Sequence, residues 1–391
     1  MQVSMADLPK EQKKYRIESI DILRGFALIG ILFANMLWFG GYLDSTSELR
    51  EQLLNTSMLD AVVLYLTRLL VHGKFYFVYS FLFGLGFHIL YSRSRLQGRA
   101  FNFYFFKRQL VLLIIGCIHA LFIWWGDILR YYALMGLVLL LVKDLKPTHL
   151  LRLALVLLLT PLAVDLFHMM TGLTVELSFA PDMSRSEILA GYLNGQWFDS
   201  NWVRVVMGLE GNINAGRLLR ILGMFVLGYY FGQRNFFSVT DKNRAIQKRM
   251  MTLSLWIAFP AALLKVGAHY VDYGLSDTLK TPVMELLYVV SVTGMSLGYI
   301  AMIAYFAPGF QNTYVGSWLK ALGKVPLTNY LLQSVIGLLV FHGLDLFAEV
   351  SLFQLYLLGV AILALQVYFS KQWLKYQAQG PVEALWRKLA S

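Results

Sequence analysis

The stretch that decides the fold is IDILRGFALIGILFANMLWFG, residues 20–40. Beyond Asp21 and Arg24 it carries no charge, and its length matches the roughly 20 residues that a helix needs to cross the hydrocarbon of a bilayer. A helix that is apolar on every side is buried either in a large protein core or in lipid. The stretch therefore predicts a membrane-spanning helix, with Asn35 as a polar residue inside it.

The rest of the chain follows the same pattern. Of its 391 residues, 58% are hydrophobic and only 15% are charged, and the mean hydropathy is +0.57, whereas soluble domains carry about 25% charged residues. We predict an all-α transmembrane bundle of about ten spans, and a short amphipathic helix at the interface over 58–71. The spans are predicted near 20–40, 75–91, 109–125, 128–142, 150–170, 217–232, 251–270, 282–306, 322–344 and 352–373.

This order of spans divides the chain into four parts. Residues 1–19 are a polar cytoplasmic segment without the features of a cleavable signal peptide. Residues 20–170 and 217–391 are an N-terminal and a C-terminal transmembrane half, each with five spans, and the second ends in a short cytoplasmic tail. Residues 171–216 form a long outer loop, and a loop of this length is usually functional or disordered. Its aromatic residues favour an ordered lid.

The net charge of +11 is compatible with an acidic partner such as nucleic acid, but its distribution indicates lipid instead. Of the 34 lysine and arginine residues, 23 fall in one set of alternate connecting segments and nine in the other. The positive-inside rule places the basic set, and with it both termini, in the cytoplasm. There it meets anionic lipid headgroups, so we expect contact with membrane lipids and no nucleic-acid partner. The expected location is the bacterial cytoplasmic membrane, and a homodimer stays open.

Polar groups at membrane depth are costly and are therefore candidates for a site. His119 lies eleven residues beyond Arg108, which places it roughly 17 Å into the membrane, and Asp127 reaches the outer interface. Each has a structural alternative. His119 and Asn35 are equally compatible with helix packing, and Asp127 with the N-cap of the next span.

Two other patterns favour structure over chemistry. Asp21 and Arg24 have the i, i+3 spacing of an ion pair at the inner rim. Lys265 and His269 share a helix face, but no H-x-x-x-H or H-E-x-x-H spacing supports a metal site, and we predict no metal.

Glycine pairs at i, i+4 spacing favour close helix contacts. They occur at Gly228 with Gly232 and at Gly294 with Gly298, and such pairs allow helix backbones to approach each other. No P-loop and no G-x-S-x-G elbow is present, which removes the usual NTPase and serine-hydrolase classes.

Several motifs together resemble the YeiB-like membrane proteins, over nearly the whole chain. They are RIESIDILRG (16–25), GILFAN (30–35), GKF (73–75), SFLFGLG (80–86), GCIHAL (116–121), GDILRYYA (126–133), LTNYLLQS (327–334) and QGPVEALWR (379–387). The opening motif and Asn35 are also similar to the lysosomal heparan-alpha-glucosaminide N-acetyltransferase. This resemblance implies a transmembrane acyltransferase that moves an acyl group from cytoplasmic acyl-CoA, in particular acetyl-CoA, to an acceptor across the membrane.

The resemblance also implies roles for residues. In the lysosomal relative the catalytic histidine follows the first span, but no histidine lies between Asn35 and Asp60 here, so the YeiB-like pattern offers His119 as general base and His72 as the next choice. Asp127 would orient His119 or hold the acceptor, and Asn35 would donate to the oxyanion. The remaining substrate-binding candidates are Arg24, Lys107 and Arg108 for the CoA phosphates, Arg130, Tyr131, Asn329 and Gln333, and Trp197 and Trp202 for a sugar or lipid-headgroup acceptor.

A permease or exporter without chemistry is the alternative. Intramembrane histidine, aspartate and lysine residues also relay protons or bind solutes. Against this alternative, the sequence shows no paired repeats or matched broken helices of the transporter kind.

Overall fold

The structure, a computed structural model, describes residues 10–42, 57–98, 100–172, 215–347 and 349–390. Within these ranges every regular element is helical, as the sequence predicts. The α-helices are α1 (Lys10–Phe39), α2 (Met58–Leu66), α3 (Lys74–Leu96), α4 (Phe101–Phe122), α5 (Leu129–Val142), α6 (Pro147–Thr171), α7 (Ala215–Gln233), α8 (Asp241–Leu253), α9 (Phe259–Gly267), α10 (Asp277–Phe310), α11 (Tyr314–Lys324), α12 (Pro326–Phe341), α13 (Leu352–Tyr376) and α14 (Pro381–Ala390). Two π-helical segments, Thr67–Val71 and Ser254–Ala258, extend α2 and join α8 to α9.

Several of these helices are suited to a membrane. Among the described residues, seven helical segments are long and apolar enough to cross a bilayer, and an eighth is the pair α11 and α12 if it counts as one span. The outer face of α4 shows why water is the wrong solvent, because Leu110, Ile114 and Ile118, four residues apart, are each about half exposed. The chain is thus a membrane protein, and the number of ten spans stays a prediction.

Several helices differ from the predicted spans in their bounds. The predicted interfacial helix over 58–71 runs on towards the second span, so that Met58–Leu96 forms one apolar segment. The predicted span 322–344 begins only at Pro326, and α11 before it is bent against α12 by 87°. Proline lacks the N–H that a continuous helix needs and clashes with the preceding turn, so the helix breaks there. The predicted span 128–142 corresponds to the short apolar helix Leu129–Val142, which is not one of the seven segments long enough to cross a bilayer.

Packing groups the residues into two compact units, described separately below. The first unit contains residues 1–82 and 231–385, and the second contains residues 83–230 and 386–391. The predicted halves 20–170 and 217–391 follow the order of the chain, and they stay a prediction.

In the first unit, α1 packs against α10, α11, α12 and α13. Two glycines bring α1 and α11 into backbone contact: a Cβ on Gly25 would collide with the Leu319 carbonyl, and one on Gly323 with the Asp21 carbonyl. The predicted close contact at Gly294 and Gly298 is also present, because these two residues face Ala258 and Ser254 of the second π-helical segment.

In the second unit, α4 packs against α5. An aromatic cluster fills the space between α3, α5 and α7, with Phe83 stacked on Phe225 at 4.4 Å and Tyr132 set edge-on to Phe225 at 5.0 Å. Gly84 allows this approach, since a Cβ there would overlap the Phe225 carbonyl oxygen. The cluster therefore packs α5 against α3 and α7.

Candidate active site

The candidate site lies in the second unit, at the turn between α4 and α5. Helix α4 ends at Phe122, where the His119 carbonyl accepts hydrogen bonds from the backbone N–H groups of both Ile123 (3.0 Å) and Trp124 (2.8 Å). A short turn then leads to α5, which begins at Leu129. His119 lies on the last turn of α4, so it is close in sequence to this connecting turn.

His119 and Asp127 form a buried pair across this turn. His119 Nδ1 lies 2.8 Å from Asp127 Oδ2, and both residues are only 1% exposed. The second carboxylate oxygen, Asp127 Oδ1, accepts from the backbone N–H of Arg130 at 3.0 Å. The N-cap residue of α5 is Ile128 and not Asp127 as the sequence predicted, but the Asp127 side chain hydrogen-bonds the first turn of α5 and at the same time holds the histidine.

Gly116 makes this arrangement possible. It lies on α4 one turn before His119, and a Cβ there would come within 2.6 Å of the Arg130 nitrogen and 2.9 Å of Asp127 Oδ1. Real Cβ contacts are not that short, so any other residue would push the turn away from α4. The motif Gly116-x-x-His119 is the sequence signal for this requirement, which sequence reasoning did not use.

Arg130 braces the turn from the α5 side. Its Nη2 donates to the Trp125 carbonyl at 3.0 Å, and its guanidinium lies 5.0 Å from the centre of the Tyr131 ring. Arg130 is buried, and Trp124 sets its ring edge-on to His119 at 6.4 Å. The predicted candidates His119, Asp127, Arg130 and Tyr131 are therefore close together, although their roles in catalysis or binding stay predictions.

The geometry assigns a tautomer to His119. A carboxylate accepts only, so the neutral imidazole donates Nδ1–H to Asp127 and its basic lone pair is on Nε2. A carboxylate in this position also stabilises the imidazolium that forms when Nε2 takes up a proton. The pair thus consists of a histidine that can act as a general base and a carboxylate that orients it.

Lys107 and Arg108 lie near the other end of α4 from His119. Eleven residues separate Arg108 from His119, about 17 Å along a helix. The Arg108 guanidinium is stacked 4.0 Å from the Trp386 ring, and Trp386 Nε1 donates to the Arg108 carbonyl at 2.8 Å. Lys107 Nζ lies 5.1 Å from the Phe103 ring. Their contact with CoA phosphates stays a prediction.

The remaining candidates of known position lie in the first unit. Arg24 Nη1 donates to Asp21 Oδ1 at 2.8 Å, which confirms the ion pair that their spacing predicted. Asn35 is half-buried on α1. Trp197 and Trp202, together with most of the predicted outer loop, lie outside the described residues.

Asn329 and Gln333 take part in a buried network between α12 and α13. Asn329 Nδ2 donates to Ser370 Oγ at 2.9 Å, and Gln333 Nε2 donates to Gln366 Oε1 at 3.1 Å. Gln366 Nε2 in turn donates to the Asn329 carbonyl at 2.9 Å. These contacts give both amides a structural role, and their predicted part in substrate binding has no observation of its own.

Comparison with known proteins places the chain. Residues 231–391 match DUF418, a family described as a protein of unknown function. The chain is also similar along almost its whole length to the uncharacterized protein YeiB of Escherichia coli, with 26% identity over 95% of each chain. The chain thus resembles YeiB along its length, and its C-terminal part resembles the DUF418 family.

Two further relatives of the chain come from Bacillus. The uncharacterized protein YxaH of Bacillus subtilis is 29% identical over 98% of this chain and 96% of its own. An uncharacterized 39.9 kDa protein of Bacillus acidopullulyticus, encoded in the amylase 3′ region, is 28% identical over 96% of this chain and 93% of its own. These similarities confirm the resemblance seen in the motifs.

Proposed function

We propose that the chain is an integral membrane acyltransferase, which moves an acyl group, in particular acetyl, from cytoplasmic acyl-CoA to a hydroxyl or amine of a glycan or lipid-headgroup acceptor. The observation that carries the proposal is the buried pair of His119 and Asp127, with Nδ1 and Oδ2 2.8 Å apart. A histidine whose Nδ1–H donates to a carboxylate has the lone pair of its Nε2 available to accept a proton from an acceptor group.

In the proposed reaction, His119 Nε2 takes the proton from the acceptor O–H or N–H group. The acceptor oxygen or nitrogen then forms a bond to the thioester carbonyl carbon, and the C–S bond breaks. The thiolate of CoA leaves and takes up the proton that His119 carried, so the products are the acylated acceptor and free CoA. Asp127 keeps the imidazole in one orientation and stabilises its charged form.

The proposal includes a topology of ten spans with both termini in the cytoplasm of a bacterial cell. A cytoplasmic reporter fused after Arg95, after Arg244 or at the C-terminus should be active, and one fused near Ser184 should be inactive. Reporter activity at all four points would contradict this arrangement.

The activity test uses full-length protein in lipid nanodiscs with acetyl-CoA, hexosamines and a bacterial lipid extract, and measures released CoA thiol. We expect His119→Gln to lose roughly 10²–10⁴-fold in turnover, because an amide does not take up a proton at neutral pH. The matched control is His168→Gln on α6, which should keep wild-type turnover. Wild-type turnover in His119→Gln would overturn the assignment and make His72 the next base to test.

A permease is the second candidate, and one structural feature favours it. Helices α11 and α12 meet at an angle of 87°, and discontinuous helices often form the binding sites of transporters. Solute uptake into protein-containing vesicles without acetyl-CoA consumption would decide for this alternative.

A further inference from the structure

The first unit contains a cavity of about 270 Å³ that sequence reasoning did not predict. One part of its wall is apolar, with Leu37, Leu64 and Val266 among the lining residues. The other part is basic, and its members come from the end of α2, the start of α3 and the region of α9. The basic lining residues are Arg68, His72, Lys74, Lys265 and His269. No aspartate or glutamate is among the described residues that line it.

The cavity lies beside an irregular turn within the apolar segment Met58–Leu96. The π-helical segment Thr67–Val71 closes with His72 N–H donating to the Thr67 carbonyl, and Gly73 then turns the chain with φ +81°. A side chain would not be accommodated at Gly73, because a Cβ there would lie 3.1 Å from Val292 Cγ2 in a left-handed backbone conformation. Single π-helical turns within helices are frequent at functional sites.

The same turn buries Lys74. Its Nζ donates to the Arg68 carbonyl at 2.8 Å and so caps one of the last carbonyls of the segment, while the Leu70 carbonyl accepts from Tyr299 at 2.9 Å. Lys74 is only 3% exposed, yet an ammonium group has three donors and the carbonyl uses one.

Two basic groups of the cavity, Arg68 and Lys74, have no acidic partner in the part of the chain that the structure describes. Among the described residues, no carboxylate lies within ion-pair distance of Lys74 or Arg68, whose Nη1 lies 3.5 Å from the Tyr270 hydroxyl. Asp60 is the carboxylate whose charge affects the pKa of the lining residue Tyr42. Its two oxygens accept hydrogen bonds from Ser57 Oγ and from the Phe353 N–H.

Tyr42 supplies no negative charge either. Burial, assisted by the charge of Asp60, raises the pKa of Tyr42 to about 12, and its hydroxyl donates to the Val350 carbonyl at 2.8 Å. A buried amino group such as that of Lys74 is stabilised in its charged form by a nearby negative charge, and the partly buried Arg68 adds a second cation, so the cavity is electrostatically complementary to an anion.

We propose that this cavity binds a phosphate group that carries an apolar substituent. A phosphate monoester has a charge near −2 and three acceptor oxygens, which match the donors of Arg68 and Lys74 better than a carboxylate does. The apolar wall suits the carbon chain next to the phosphate. The source of the phosphate is either a lipid headgroup or a soluble phosphate. All lining residues belong to the first unit, and the cavity shares no residue with the pair of His119 and Asp127.

The test measures binding by calorimetry to full-length protein in dodecyl maltoside micelles. The probes are dihexanoyl phosphatidic acid, inorganic phosphate and, as a zwitterionic control, dihexanoyl phosphatidylcholine. Binding of phosphatidic acid alone identifies a lipid-headgroup site, and binding of both phosphatidic acid and inorganic phosphate identifies a site for phosphate from solution. If neither binds, or if phosphatidylcholine binds as well as phosphatidic acid, the proposal is overturned.

Two variants link binding to the cavity. Arg68→Gln removes one basic group, and Lys74→Gln removes the other while it keeps an N–H donor in the side chain. Each should weaken binding of phosphatidic acid at least tenfold, and Lys280→Gln, which removes an exposed lysine outside the cavity, should not. If Lys74→Gln fails to fold, Arg68→Gln alone decides. Unchanged affinity in the folded variants would show that Lys74 only caps the helix, and would overturn the proposal.

Discussion

Glu383 caps helix α12 through Thr328, a residue 55 positions earlier in the chain. Glu383 Oε1 accepts from the backbone N–H groups of Leu327 at 2.7 Å and Thr328 at 3.1 Å, and Oε2 accepts from the Thr328 hydroxyl. The first N–H groups of a helix have no partner within the helix, and the positive end of the helix dipole favours a carboxylate there. The contact therefore fixes the C-terminal QGPVEALWR motif to the start of α12.

Removal of this cap should destabilise the protein. We expect Glu383→Ala to lower the free energy of unfolding by about 1–2 kcal/mol, the usual cost of losing a helix cap. Thermal unfolding in detergent measures the effect as a lower Tm. The matched control is Glu349→Ala, an exposed glutamate, which should leave the Tm unchanged. Equal Tm values for both variants would show that the contact contributes nothing.

Asp127→Asn tests how the carboxylate acts on His119. The amide keeps an oxygen to accept from the first turn of α5, but its NH₂ group donates to His119 Nδ1 and so moves the imidazole proton to Nε2. In a Ser-His-Asp triad this change costs about 10⁴-fold in kcat with little change in geometry. We expect a similarly large loss of acetyl-CoA turnover at nearly unchanged Tm, and none for the control Asp165→Asn on α6. Full turnover in Asp127→Asn would leave Asp127 with a structural role only.

Gly116 and Gly86 make a matched pair of helical glycines. Alanine at Gly116 would place its Cβ 2.6 Å from the Arg130 nitrogen, whereas a Cβ at Gly86 meets nothing within 4 Å. We expect Gly116→Ala to lower both Tm and turnover, because the turn that carries Asp127 must move. Gly86→Ala should raise the stability by up to about 1 kcal/mol, since alanine favours the helix. A Gly116→Ala protein as stable and active as wild type would contradict the close packing of the turn.

Asp144 leads to a prediction about how the stability of the protein depends on pH. Hydrogen bonds from Lys143 and Tyr91, each 2.6 Å long, lower the pKa of Asp144 below its usual value of 3.8. The folded state therefore holds the ionised form better than the unfolded state does, and this stabilisation is present above pH 3.8 and is lost as the pH falls through the lower folded-state pKa. Asp144→Asn should lower the Tm slightly at pH 7, because the group is exposed and screened by water.

Thermal scans at falling pH check this sign. The Tm difference between Asp144→Asn and wild type should shrink below pH 3.8, and the exposed Asp272→Asn serves as control. A difference that grows in acid would contradict the assignment.

Local features of the site were predictable from the sequence. His119 and Asp127 are eight residues apart across one turn, and a helix end followed by a short turn leaves little choice in how they meet. The helix break at Pro326 was harder to predict from the sequence, because a hydropathy average over many residues does not register a single proline in an apolar region. The predicted span 109–125 overlaps the apolar helix Phe101–Phe122, because length and composition alone make this region a span candidate.

The amino-acid sequence by itself determined that the chain is helical, apolar and YeiB-like, because these properties depend on composition, periodicity and local motifs. Only the tertiary structure decided which distant residues meet. Arg68 and Lys74 share a cavity with Lys265, almost 200 residues later, and Glu383 reaches Thr328 from the far end of the chain. Such contacts depend on the places where glycines such as Gly25 and Gly323 allow two helices to come into backbone contact. The backbone geometry at those crossings depends on residues that are far apart in the chain, so no single stretch of sequence predicts it.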